Sequence, residues 1–226
     1  MEVKVKLISE KDKEIIQAVK FQLEHLFLQL KGVGKLYFVP IIVLYILLPF
    51  ILWADYSASG NSIDRIFVAQ CNFFMPILSV WWVFLVMKEY VEGEGKEVLY
   101  LNEHSKFKEV IILYVYYVIH LLFFFGVALF FIPNVVFALF LQIILASFFY
   151  CGLGYLFLYL TQNISIAFLP LICYSIYCSN SGVLSVAFLN RSIYWEYPIK
   201  YTIEMIVAGC ICFGVGIHLN KRKFLR

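Results

Sequence analysis

The sequence predicts an all-α polytopic membrane protein, and three observations support this fold class. Hydrophobic residues make up 63% of the chain and charged residues only 15%, whereas charged residues are about a quarter of an ordinary soluble domain. The mean hydropathy is +0.86. Several apolar runs approach or exceed the roughly 20 residues that a helix needs to cross the hydrocarbon core. Because these runs are continuous and do not alternate with polar residues, membrane-spanning helices are favoured over a closed barrel.

The first predicted element is an amphipathic helix over residues 9–32. Ser9 and Asp12 have the S-x-x-D spacing of a helix start. Apolar residues then recur at three- and four-residue steps, namely Ile15, Val19, Leu23, Leu26, Phe27 and Leu30. A helix of this kind, with lysines on its polar side, favours the headgroup plane. The alternative is a helix that packs on the ends of the bundle.

Six transmembrane helices are predicted after this element, and together with it they form a single domain over 1–226. Their ranges are 37–54, 66–87, 110–132, 135–160, 164–180 and 201–219. Pro133-Asn134 and the 161–163 segment, Thr-Gln-Asn, predict tight turns on either side of the fourth span. Residues 181–200 are predicted to form an extracellular or re-entrant segment.

The distribution of Lys and Arg predicts the orientation. Fifteen of the 18 positive residues precede the first span, lie in 88–109 or follow the last span, and only Arg65, Arg191 and Lys200 do not. Because positive residues concentrate on the cytoplasmic side of a membrane, both termini and the 88–109 segment are expected on that side. This asymmetry also explains the net charge of +3, so no nucleic-acid partner is expected.

The 88–109 segment is unusual because ten of its 22 residues are charged while both neighbouring spans are apolar. Gly93 and Gly95 permit a sharp turn, and the apolar run 98–101 follows between charged flanks. A short helix of this composition predicts contact with another protein. The alternative is a solvated connector.

These features together resemble the permease subunits of type-2 ABC transporters, and in particular small bacterial permeases that export peptides or toxins or give bacteriocin immunity. The family's loop between the second and third spans carries an acid, a glycine, a Leu-rich turn and then a polar pair. The matching residues are Glu89, Glu92, Gly93, Gly95, Glu97, Leu99, Leu101, Ser105 and Glu109. Two positions depart from the family's pattern. The family commonly has a threonine where this chain has Lys96 (or Glu94), and its usual proline before the polar pair is missing, with His104 near that place.

The resemblance implies that the chain lies in a bacterial plasma membrane and that 88–109 is a coupling helix that docks on a cytoplasmic ATPase subunit. The residues expected to make this contact are Glu89, Glu92, Gly93, Gly95, Glu97, Val98, Leu99 and Leu101. The chain contains no G-x-x-x-x-G-K-[ST] phosphate-binding loop, so it is not expected to be catalytic or to hold a cofactor. ATP and Mg would bind to two copies of the ATPase, and a second permease copy, as a homodimer, would complete the path. The expected cargo is an amphipathic or hydrophobic peptide.

Polar residues inside the predicted spans are candidates for a translocation path, since ionisable and polar groups are costly there. They are His120, Gln70 and Asn72, and the alternative for each is a side chain hydrogen-bonded within the bundle. Ala208, Cys212 and Gly216 form a small-xxx-small pattern that predicts a close helix contact, here assigned to a dimer interface.

Two other classes of function were weighed against the permease. An intramembrane enzyme is disfavoured because the sequence contains neither H-E-x-x-H nor G-x-S-x-G. A passive channel or an accessory membrane protein without an ATPase is the principal alternative, but it does not explain the length and pattern of 88–109.

Overall fold

The computed structural model describes residues 34–60, 62–93, 107–180 and 198–224, together with the single residues 17, 24 and 31. Six helical elements occupy these ranges. They are α1 (Gly34–Ser59), α2 (Ile63–Val91), α3 (Phe107–Ala128), α4 (Pro133–Thr161), α5 (Ile164–Asn180) and α6 (Pro198–Phe224). Most of the predicted amphipathic helix, all of 94–106 and all of 181–197 lie outside the described residues.

Five of these helices, α1, α2, α3, α4 and α6, are long and apolar enough to cross a membrane. The prediction of an all-α, multi-pass membrane protein is thereby confirmed. The α5 helix is apolar but has 17 residues, a length of about 25 Å at the helical rise. Its crossing, the fifth in the predicted topology, stays a prediction.

The even-numbered helices run parallel to one another. Along α4 and α6, Gly209 lies against Phe148, and seven residues further on Gly216 lies against Tyr155. Both partners advance in the same direction along the chain, so the two helices point the same way. The α2 and α4 helices show the same relation through two contacts, Ser79 with Ser147 and Phe84 with Gly154.

The odd-numbered helices return the chain between them. The α4–α5 contacts pair Tyr150 with Ser175 and Gly154 with Leu171, so α5 is antiparallel to α4. One end of the bundle therefore gathers Gly34, Val91, Phe107, Thr161 and Phe224, and we call it the near end. The opposite end, which holds the 128–133 turn, is the far end.

The α1 helix is irregular at its start. It consists of a 3₁₀ turn (Gly34–Phe38), an α turn (Val39–Ile42), a π turn (Val43–Leu47) and an α-helix (Leu48–Ser59). Pro40 has no N–H to donate to the carbonyl of Leu36. The indole of Trp81 donates to that carbonyl at 3.2 Å, and the indole of Trp82 donates to the carbonyl of Tyr37 at 3.0 Å. Two tryptophans of α2 therefore bond the irregular start of α1.

The Trp81→Phe variant tests this attachment. Because it removes the indole donor and keeps an aromatic ring, we expect the free energy of unfolding to fall by about 1 kcal/mol. The matched control is Trp53→Phe, since Trp53 is 66% exposed on the outside of α1. Equal losses in the two variants, measured by unfolding in bicelles, would contradict the role given to the indole.

Glycines set the spacing between α4 and α6. A Cβ atom on Gly152 would lie 2.8 Å from the carbonyl oxygen of Gly209, and one on Gly209 would lie 2.8 Å from the ring of Phe148. Cβ atoms do not approach other atoms this closely, so the two backbones are nearer than any larger residue would allow. Gly216 makes the third contact of this kind, against Tyr155.

Candidate functional site

The end of α2 carries the first residues of the predicted coupling segment. Glu89 lies in the last turns of α2, and Glu92 and Gly93 follow it. The carboxylate of Glu92 accepts a hydrogen bond from the backbone N–H of Ile164, with 2.7 Å between Oε1 and N. This bond joins the end of α2 to the first residue of α5.

The remaining predicted coupling residues, namely Gly95, Glu97, Val98, Leu99 and Leu101, lie outside the described residues. Their contact with an ATPase stays a prediction. The structure does place the two flanks of their segment, Gly93 and Phe107, at the near end of the bundle.

The turn between α4 and α5 lies beside Glu92, and its prediction from the sequence is confirmed. Gln162 ends α4 in a left-handed conformation, with φ 53°. The side-chain oxygen of Asn163 accepts a hydrogen bond from the N–H of Ile166 at 3.0 Å, as expected of an N-cap residue. The first turn of α5 therefore receives two side-chain acceptors, Asn163 from its own turn and Glu92 from α2.

His120 lies in an aromatic cluster between α1, α2 and α3. Its ring centroid is 4.7 Å from that of Tyr116, 5.5 Å from that of Trp82 and 6.0 Å from that of Tyr45. The Tyr45 hydroxyl donates to the His120 carbonyl at 3.1 Å and lies 3.3 Å from Nδ1. The hydroxyls of Tyr37 and Tyr116 bond each other next to it. His120 is thus held by hydrogen bonds and ring packing, as the alternative from the sequence expected.

Gln70 is also engaged within the bundle. Its side-chain amide donates to the carboxylate of Asp55 on α1, toward the far end. Sequence reasoning missed Asp55 because the predicted first span ended one residue before it. The sequence did contain a signal for this pair. Asp55 ends an apolar run, and Gln70 lies opposite it across a short helical hairpin.

Asn72 differs from the other two candidates. It is 4% exposed, and neither its side-chain nitrogen nor its side-chain oxygen has a hydrogen-bond partner among the described residues. The backbone carbonyl of Asn72 also lacks its usual helical donor, since residue 76, four positions on, is a proline and has no N–H. A buried amide without partners is costly in lipid, so Asn72 is the strongest of the three predicted candidates for a functional polar residue.

The three predicted path residues do not form one connected group of hydrogen-bonded side chains. Gln70 and Asn72 are two residues apart on α2 and face different directions. His120 contacts Tyr45 of α1 and Trp82 of α2, whereas the side chain of Gln70 bonds Asp55. A path that all three share stays a prediction.

The Asn72→Leu variant separates stability from function. Because leucine removes two unpartnered polar atoms at nearly constant volume, we expect the free energy of unfolding to rise by about 1 kcal/mol. If Asn72 serves the path, transport falls in this more stable protein. Gln70→Leu is the control, since it breaks the bond to Asp55 and should destabilise. A loss of stability in both variants would show that Asn72 is bonded in the native bundle.

The small residues assigned to a dimer interface lie toward the core of the chain. Ala208 and Cys212 pack against the buried core, and a Cβ on Gly216 would lie 2.6 Å from the ring of Tyr155. Their use between two copies stays a prediction. The exposed side of α6 instead carries Val207, Ile211 and other apolar side chains.

Comparison with known proteins finds no matching family model, no similar curated protein and no similar solved structure. The class that fold and sequence define is a multi-pass, all-helical membrane protein.

Proposed function

We propose that this chain is the permease subunit of an ATP-driven type-2 ABC exporter. In this proposal it pairs with a second permease copy and is driven by two copies of a separate cytoplasmic ATPase, which bind ATP and Mg. The 88–109 segment is the contact through which nucleotide-dependent closure reaches the bundle. The cargo is an amphipathic or hydrophobic peptide.

The observation that carries the proposal is the position of the charged segment. Its flanks emerge from α2 and α3 at the near end, and the 15 residues between these two helices, 92–106, carry six of the ten charges of 88–109. A connector between adjacent antiparallel helices needs only a few residues. A longer segment between two helices can instead bind a partner protein. A displacement of that partner then moves the two helices as rigid bodies.

Charge supports a cytoplasmic near end. Lys35, Lys88 and Lys108 are exposed there, whereas Arg65 is exposed near the far end. Positive residues favour the cytoplasmic side of a membrane. An ATPase in the cytoplasm would therefore meet the 88–109 segment and both ends of the described chain.

The aromatic surface around His120 supports an amphipathic or hydrophobic cargo. The chain has 23 Phe and 16 Tyr, and the cluster around His120 places hydroxyls and an imidazole among aromatic rings on a partly exposed surface. Such a surface can hold apolar side chains by ring contact and a polar group by a hydrogen bond. An amphipathic peptide offers both.

The experiment is purification of the chain from its native host in mild detergent, followed by reconstitution in nanodiscs. The proposal expects a nucleotide-binding chain to co-purify in a two-to-two complex, seen by native mass spectrometry, and to hydrolyse Mg-ATP. A purified permease with no such partner and no hydrolysis would overturn the proposal and favour a channel or an accessory membrane protein.

A further inference from the structure

Glu92 makes a contact that crosses from one helix to another. It follows Val91, the last residue of α2, and its carboxylate accepts the N–H of Ile164 at 2.7 Å. Ile164 opens α5, and the N–H groups of a first helical turn have no partner within their own helix. An anionic acceptor at this end is also favoured by the helix dipole. The bond therefore gives the first turn of α5 a hydrogen-bond acceptor from the end of α2.

An apolar contact lies one turn further along α5. The ring of Phe168 packs edge-on against Trp81 and Phe84 of α2, with centroid distances of 5.9 and 5.6 Å. On the same turn Ala167 is fully buried. The start of α5 is thus held to α2 by one polar contact at Ile164 and one aromatic contact at Phe168.

The contact has a direction that suits transmission. Glu92 is the second residue before the undescribed segment 94–106 begins, so any displacement of that segment acts on Glu92 before it acts on the buried part of α2. Through Ile164 the same displacement acts on α5. The α5 helix in turn contacts α4 at two places. Leu171 lies beside Gly154, and the hydroxyl of Ser175 is hydrogen-bonded to that of Tyr150 at 2.5 Å.

We propose that Glu92 is a positioning residue that fastens α5 to the end of α2, so that the two helices move as one unit when the 88–109 segment is displaced. The source of that displacement rests on the proposed function. The fastening itself is a property of this chain alone.

The first test is hydrogen exchange of the chain alone in nanodiscs, read by mass spectrometry with fragment resolution. Glu92→Ala should speed exchange roughly tenfold in the last turn of α2 and in the first turn of α5 together. Asn163→Ala is the matched control, because it also removes one acceptor from the first turn of α5 but has no link to α2. It should speed exchange in α5 only. Glu92→Gln, which keeps an acceptor without charge, should lie between Glu92→Ala and the wild type.

Two results would overturn the fastening. One is a Glu92→Ala pattern confined to α5, which is what a cap with no mechanical role would give. The other is no change in either helix. Both results can be read without any ATPase, so they are distinct from a failure of the proposed function.

The second test uses the ATPase complex where it forms. Trapping with ATP and vanadate should change exchange in both α2 and α5 of the wild type and of Asn163→Ala. In Glu92→Ala, measured at an ATPase concentration that saturates the variant, the change should remain in α2 and be lost from α5. An unchanged α5 response in Glu92→Ala would overturn the transmission role even if the two helices are fastened at rest.

Discussion

Replacing Gly152 with valine is expected to force α6 away from α4 and to lower the free energy of unfolding by about 3 kcal/mol. The new Cβ would lie 2.8 Å from the carbonyl oxygen of Gly209 and 3.2 Å from the ring of Phe213. The first of these atoms belongs to a backbone, so relief requires moving a whole helix. Unfolding in bicelles, followed by steric trapping, measures the loss.

Gly214→Val provides the matched control. Gly214 is on the exposed side of α6, and a Cβ there would meet nothing within 4 Å. The same change of side chain should therefore leave the free energy of unfolding within about 0.5 kcal/mol of the wild type, since valine has a slightly higher helix propensity than glycine. Similar losses at the two positions would contradict the close approach of α4 and α6.

The largest functional effect that the proposed permease role predicts comes from the apolar run 98–101. Changing Val98, Leu99 and Leu101 to Asp together is expected to reduce ATPase binding more than a hundredfold. Apolar residues at the centre of an interface carry most of its binding energy, and three buried carboxylates would add an unfavourable desolvation cost. Titration of the purified ATPase onto the permease in nanodiscs measures the affinity.

The control for this variant adds acid at the opposite end of the bundle. Ala58 and Ser62 are exposed at the far end, so Ala58→Asp with Ser62→Asp changes the charge of the chain without touching 88–109. ATPase binding should then match the wild type. Equal loss of binding in both variants would indicate a general effect of charge or folding and would remove the support for a coupling contact.

Hydropathy located the helices more closely than their ends. Five of the predicted spans correspond to the helices long enough to cross a membrane. Pro133 and Asn134 were predicted to form the turn before the fourth span, but they lie in the first turn of α4, which begins at Pro133, a position that proline favours. The third span was predicted to continue to 132, but α3 ends at Ala128. The residues up to Ile132 turn back on it, with the N–H of Ile132 bonded to the carbonyl of Ala128. An apolar run does not reveal such a turn, because the turn is as hydrophobic as the helix.

The polar contacts between helices could not be predicted in the same way. Trp81 and Leu36, Gln70 and Asp55, and Glu92 and Ile164 come together only once the helices pack. In each pair one partner is a backbone group or an acid whose role depends on a distant residue. The sequence showed that Glu92 is unusual, but only packing reveals that it reaches α5.

The small residues of α6 illustrate a second limit. A small-xxx-small pattern predicts close helix contact but not whether the partner belongs to the same chain. Here Gly216 meets Tyr155 of α4, a use within one chain that the pattern fits equally well. Lipid solvates apolar faces of helices about as well as another helix does, so hydropathy cannot identify the partner.

Site-specific photo-crosslinking in native membranes tests the central claim, that 88–109 contacts an ATPase, most directly. A benzophenone amino acid would replace Leu99 in one variant and Phe130, which is 86% exposed at the far end, in the other. The account predicts a crosslink from position 99 to a chain that hydrolyses ATP, and none to that chain from position 130. No crosslink to an ATPase from position 99, or equal crosslinking from both positions, would contradict it.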